Sequence, residues 1–187
     1  MKVAFFSAHG FEREHFIKAN VRHGHELVFF KEALSSDTAP LAAGFPAVCA
    51  FVTDSMDAAT LKKLAWRGTR LIALRCAGFN NVDLDVASEL GLTVMRVPAY
   101  APEAIAEHAA ALMMALNRRI PHAYNRARFG NFSLDNLIGF NMAGKTAGIV
   151  GTGNIGLALA RILKGFGCKL LGYDVQQNPA CIELGMR

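Results

Sequence analysis

Tryptophan occurs once in this sequence, and Asp, Glu, Lys and Arg together make up only 19% of it. Disordered chains are poor in apolar residues and rich in charge, so this composition excludes one. Apolar residues make up 52%, enough to bury a real core. Long apolar runs are missing too. None approaches the roughly 18 residues of a membrane span, so no membrane association is expected. Met1–Phe6 is too short for the core of a secretory signal and carries no cleavage-site pattern; it reads as a first strand. Cysteine is sparse: Cys49, Cys76, Cys168 and Cys181 form no Cys-x-x-Cys pair, and none stands near a His at zinc-ligand spacing. That usage fits a reducing cytoplasm. His23 and His25 alternate around Gly24 without a third ligand, so no metal is expected. Internal repeats and low-complexity tracts are absent.

What is present is an alternation. The length, 187 residues, allows one ordinary domain or two small ones. Over the first hundred residues, β-rich runs at Lys2–Ser7, Glu26–Phe30, Ala47–Val52, Arg70–Cys76 and Leu92–Val97 alternate with helical stretches near 11–22, 57–67 and 83–90. A short helix is possible within 35–45. Near-continuous apolar strands separated by helices predict a parallel sheet covered on both faces, a flavodoxin-like α/β domain over 1–98. A stiff segment, Val97–Pro102, marks the boundary. Pro102 suits the first turn of a helix that runs to about Ile120 and is stopped by Pro121. Ile105, Ala109, Leu112 and Leu116 share one face of it, and its many alanines predict close packing on another helix or a neighbouring subunit, hence a homo-oligomer. Residues 121–145 read as a long polar connection.

The net charge of +5 is uneven. Residues 1–100 carry 11 basic and 10 acidic side chains; residues 101–187 carry 9 and 5. Arg118, Arg119, Arg126 and Arg128 supply the excess. Such a cluster could serve nucleic acid, an anionic cofactor, or only a solvated helix end. No nucleic-acid-binding motif accompanies it, so no such partner is expected.

The strongest signal lies in 146–174. Thr146–Val150 reads as a buried strand and runs into Gly151-Thr152-Gly153-Asn154-Ile155-Gly156. A helix follows to about Phe166, with Ile155, Leu159, Ile162 and Phe166 on one side and Gly167 as its cap. Lys169–Asp174 reads as a second strand ending in an acid. This is a dinucleotide fingerprint in its required context. Gly151 permits the sharp turn, Gly153 lets a pyrophosphate approach the backbone, and Gly156 lets the helix pack on the strand. Free N–H groups at the helix start favour the diphosphate. Asp174, 18 residues past Gly156, is placed to accept hydrogen bonds from the adenosine ribose hydroxyls. Its charge would repel a 2′-phosphate, and no Arg or Lys follows in Val175-Gln176-Gln177, so NAD is expected over NADP. Residues 99–187 then form the first βαβ part of a Rossmann domain.

With that motif placed, the whole chain resembles the D-isomer-specific 2-hydroxyacid dehydrogenases. Four ordered blocks carry the resemblance: Arg75–Asp83, Val97–His108, Asn117–Arg119 and Gly144–Gly156. It implies a flavodoxin-like substrate domain followed by a Rossmann domain, with the active site in the cleft between them. It implies reversible hydride transfer between NADH and a 2-oxo acid such as pyruvate, giving the D-hydroxy acid, D-lactate. The Ala77-Gly78 loop matches the family loop whose backbone N–H groups hold the substrate carboxylate. Tyr100 matches a pocket-lining position in the members acting on lactate. Thr152, Asn154, Ile155 and Asp174 match cofactor contacts.

Gly78 can also be read as a turn residue, Tyr100 as packing, and Arg75 as a structural ion-pair partner. Reduction of a 2-oxo acid needs a cation for the carboxylate and carbonyl and a proton donor for the alkoxide. In the family an Arg, a Glu and a His do this, and all three are expected beyond Arg187. Glu107 and His108 do not replace them, because adjacent residues on a helix project about 100° apart. The 187 residues alone are therefore expected to be inactive, as a fragment, an incomplete product, or a chain completed by self-association. A two-stranded sheet would also leave Ile149, Val150, Leu170 and Leu171 short of core. The competing reading is a non-catalytic module that binds NAD or another adenine nucleotide, or that oligomerises.

Overall fold

The computed structural model describes residues 1–187. They form two compact units, Met1–Tyr100 and Ala101–Arg187. The first unit holds five parallel strands, β1 (Lys2–Phe5), β2 (Glu26–Phe29), β3 (Ala47–Ala50), β4 (Leu71–Leu74) and β5 (Thr93–Arg96), in the order β2-β1-β3-β4-β5. This is the flavodoxin-like order, with its switch point between β1 and β3. The period of two assigns the faces. Ala4, Val48, Ala50, Ile72 and Leu74 enter one core beneath α2 (Ala58–Trp66) and α3 (Leu84–Glu89), whose Leu61, Leu64 and Ala87 are buried there. Val3, Phe5, Ala47 and Cys49 enter the other beneath α1 (Gly10–Asn20), where Phe16 meets Phe5 edge-on at 4.7 Å. Asp57 and Asp83 cap α2 and α3 by accepting from the Thr60 and Val86 amides. The 35–45 segment holds a single 3₁₀ turn, Ala39–Ala42.

The strands end earlier than the apolar runs do. Ser7 turns into a left-handed conformation (φ +48°) and donates its hydroxyl to Asp54, so the chain leaves the ladder after Phe5. Asp54 is 1% exposed, and it also accepts from the Leu34 and Phe51 amides. A buried carboxylate with three donors ties the turns after β1 and β3 together.

In the second unit α4 (Pro102–Asn117) packs on α6 (Asn154–Gly165), and β6 (Thr146–Val150) pairs in parallel with β7 (Lys169–Tyr173). Two expectations are corrected here. The polar connection contains a helix, α5 (Ile120–Arg128). Pro121 starts it rather than merely ending its predecessor; the break is Arg119, at φ +53°. The faces of α4 and α6 also differ from the spacing. Ala106 and Ala110 are buried on α4 while Ile105, Leu112 and Leu116 are exposed. On α6, Gly156, Ala158, Ala160 and Leu163 are buried while Ile155 and Phe166 are exposed. Small side chains let these two helices approach closely, and that closeness overrides the larger apolar stripes.

Gly167 (φ +78°) does close α6, with its amide donating to the Lys164 carbonyl and that of Cys168 to Leu163. A last short helix, α7 (Pro179–Glu183), is capped by Asn178. Ile149 and Leu170 are buried together with Leu163 and Cys181, so they have the core expected to be missing. Val150 (86% exposed) and Leu171 (50%) point to the uncovered face. No helix is long and apolar enough to cross a membrane.

All four cysteines are unpaired and buried. Burial pushes the Cys49 thiol up to about 12, and that of Cys76 upward as well. Cys49 therefore stays in its unreactive thiol form at pH 8. Native protein is therefore expected to leave Cys49 unmodified by iodoacetamide over hours, with full labelling in denaturant, as read by intact mass.

Candidate cofactor and substrate sites

The bend after β6 has the geometry of a phosphate cradle. Gly151 sits at φ +92°, a conformation that favours glycine, and its amide donates to the Tyr173 carbonyl at the end of β7. Gly156 lies against the turn so tightly that a Cβ on it would overlap the Gly151 carbonyl oxygen at 2.0 Å. Gly153 is the opposite case. It is the N-cap of α6, and a Cβ there would meet nothing within 4 Å. No side chain caps α6, and the amides of Gly153, Asn154 and Ile155 find no acceptor in the chain. Three free donors, an open approach and a helix dipole suit a diphosphate.

Asp174 stands beside this bend. Its Oδ2 accepts from the Thr152 amide (2.5 Å) and hydroxyl (3.1 Å), and its Oδ1 accepts from the Gln176 amide at 3.3 Å. The Thr152 amide, then that of Gln176, then the Thr152 hydroxyl hold this carboxyl below its usual range, so it is an anion at neutral pH. Of roughly four acceptor positions on a carboxylate, three are taken, and the free one lies on Oδ1. A sugar hydroxyl can take that position; a second would displace the long Gln176 bond. A 450 Å³ depression bounded by Thr152, Gly153, Asp174, Gln176, Asn178 and Pro179 adjoins the carboxylate.

Asn178 braces the same bend. Its Nδ2 donates to the Thr152 carbonyl at 2.6 Å while its Oδ1 accepts from the Ala180 amide. It thereby fixes the bend from the side of α7. The Asn-Pro pair at 178–179 is a helix-start signal in the sequence, but nothing local points it at Thr152. A separate 850 Å³ groove lined by apolar side chains such as Met113, Leu116 and Phe140 runs along β6 and is not at the bend's acid.

In the first unit, Ala77 and Gly78 follow β4 at the carboxyl end of the parallel sheet, where ligands bind in this fold. Neither amide has a partner in the chain. Gly78 has an ordinary φ, and a Cβ there would touch only Val52, at 3.9 Å. Both ends of the loop are anchored. Arg75 donates to Glu12 (3.0 Å) and to the Ser7 carbonyl (2.7 Å) and lies 4.8 Å from the Phe51 ring centre. Asn81 donates to the Asp54 and Phe51 carbonyls. Arg75 is thus a structural ion-pair partner. Tyr100, at the end of this unit, is 56% exposed. Glu107 and His108 on α4 are both exposed and are not hydrogen-bonded to each other.

Comparison with known proteins gives the family. The family described as D-isomer specific 2-hydroxyacid dehydrogenase, catalytic domain, matches residues 3–175. D-lactate dehydrogenase of Escherichia coli is 54% identical over 186 residues, which cover 100% of this chain and 56% of that protein. The apo-structure of D-lactate dehydrogenase from Escherichia coli superposes with a TM-score of 0.90 at 54% identity, covering 100% of this chain and 59% of that one. The crystal structure of D-lactate dehydrogenase with NAD+ from Lactobacillus jensenii gives a TM-score of 0.70 at 38% identity, covering 98% and 56%. The chain spans a little over half the length of the curated relatives it matches. On a family match that runs through both units, the chain belongs to the D-isomer-specific 2-hydroxyacid dehydrogenases.

Proposed function

We propose that these residues are the substrate-loop and NAD-binding portion of an enzyme that interconverts a 2-oxo acid, pyruvate, and a D-2-hydroxy acid, D-lactate, by hydride transfer with NAD. In this reading residues 1–98 are the flavodoxin-like substrate domain and 99–187 the first part of a Rossmann domain. One observation carries it: α6 begins uncapped over an open Gly153, with the anionic Asp174 beside it. The amides of Gly153, Asn154 and Ile155 hold the diphosphate, Asp174 holds the adenosine ribose and disfavours a 2′-phosphate, and Gly151 and Gly156 shape the turn. The amides of Ala77 and Gly78 take the substrate carboxylate, and Tyr100 lines its pocket. NAD supplies the hydride chemistry. Exposed Ile105, Leu112 and Leu116 on α4 support a homo-oligomer, and four unpaired thiols support a reducing cytoplasm.

Gly153→Val tests this. A Cβ there meets nothing within 4 Å, so the Val should leave the fold in place while standing in the approach of the diphosphate. The full-length protein carrying this chain should keep its melting temperature within about 2 °C and lose NAD binding by at least about a hundredfold, the 2.7 kcal/mol of one or two charge-assisted hydrogen bonds. Unchanged NAD affinity in a folded variant would refute the assignment.

A second reading rests on Glu107 and His108, which form no acid–base couple. The 187 residues alone then bind nucleotide without turnover. Calorimetry of this chain separates the cases: equal, weak binding of NAD and AMP means that only the adenosine side of the site is present. Robust pyruvate reduction by the chain alone contradicts this second reading.

A further inference from the structure

Arg96 closes β5 and sits between the two segments assigned above to the substrate. Its Nη1 donates to the Ala77 carbonyl at 3.1 Å and to the Pro98 carbonyl at 3.1 Å. Its guanidinium carbon lies 5.1 Å from the centre of the Phe79 ring. One side chain therefore holds the 77–79 loop from the carbonyl side and from the ring side, and ties it to the strand end that leads to Tyr100.

The direction of that bond matters. The chain has no cis peptide bond, so the Ala77 carbonyl and the Gly78 N–H belong to one planar trans unit and point in opposite directions. Pinning the carbonyl toward Arg96 turns the Gly78 N–H away from it. That N–H has no partner in the chain. A guanidinium can donate to two carbonyls and lie flat on a ring at once, which an ammonium does less well.

We infer that Arg96 is a positioning residue for the substrate carboxylate: it fixes the Ala77–Gly78 peptide plane so that the Gly78 N–H is presented to the 2-oxo acid. The inference rests on the function proposed above. Arg96 itself is exposed on the strand end, so its hydrogen bonds contribute little to global stability. Its effect belongs to the orientation of a neighbouring donor.

The test uses the full-length protein carrying this chain, with steady-state kinetics for pyruvate and NADH and inhibition by oxamate. Arg96→Ala should raise the KM for pyruvate and the Ki for oxamate together by about tenfold, because a misaimed amide loses most of one charge-assisted hydrogen bond. Uniform loss of ground-state and transition-state binding leaves kcat within about twofold. The KM for NADH and the melting temperature should stay at wild-type values. Arg96→Lys, which keeps a donor but not the planar guanidinium over Phe79, should recover most of the loss. The inference is overturned if pyruvate KM and oxamate Ki stay at wild-type values, or if they rise only in step with NADH KM and a falling melting temperature. Wild-type protein that binds NAD but reduces no 2-oxo acid overturns the underlying functional reading, and this inference with it.

Discussion

Gly156→Ala is expected to separate α6 from β6. The added Cβ would lie 2.0 Å from the Gly151 carbonyl oxygen and 3.0 Å from its carbon, and both are backbone atoms that cannot rotate aside. Overpacking of a tight site typically costs about 1–3 kcal/mol, and a clash with main chain belongs at the top of that range or beyond it. Urea unfolding should show the loss, and NAD affinity should fall with it because the free amides of α6 move. Gly153→Val makes the contrast: there affinity should fall and stability should not. Gly172 gives a milder case, since a Cβ there would first meet the Sδ of Met186, which a flexible side chain can withdraw. A Gly156→Ala variant of wild-type stability would mean that helix and strand are not packed as described.

Arg75→Met is expected to have the largest effect in the first unit. The Arg75 side chain is 6% exposed and that of Glu12 16%. Removing the cation leaves the Ser7 carbonyl without its donor and a largely buried Glu12 carboxylate with only the His9 amide. Breaking such a pair costs about 3–5 kcal/mol, and the lower figure applies where one partner still reaches water. Burial raises the Glu12 carboxyl, but the Arg75 bond, the His9 amide and the Arg75 charge outweigh it and hold the group below its usual range. A lowered folded value stabilises above the unfolded carboxylate range and is lost as pH falls through the folded value. The difference between wild type and Arg75→Met should therefore be full at pH 7 and shrink under acid. In a double-mutant cycle with Glu12→Gln, the double variant should lose less stability than the sum of the two single losses. Equal destabilisation at pH 7 and pH 3 would show that the pair contributes through packing alone.

Much of this was legible from residue order. Five apolar runs at regular spacing specify a parallel sheet, because only strands covered on both faces are apolar throughout. The Gly151–Gly156 bend and Asp174 declare themselves through the elements on either side of them. What escaped the sequence was nonlocal. Ser7 leaves its strand for Asp54, which lies 47 residues away. Ala106 and Ala110 are buried because α6 comes close, and no period within α4 reveals that over the louder Ile105, Leu112 and Leu116. Helix α5 was hidden by its polarity and by a proline that serves equally as terminator or first-turn residue. Arg96 has no motif at all; its role exists only once β5 ends beside the loop after β4.

The bare face of the two-stranded sheet carries a practical lesson. Val150 pairs across the ladder with Tyr173 and Leu171 with Gly148, and Val150, Leu171 and Tyr173 are all exposed. Purified on its own, such a surface should light up hydrophobic dyes, drag on chromatography resins and clump as salt is raised, and the first sign of its being covered would be the fading of that glow.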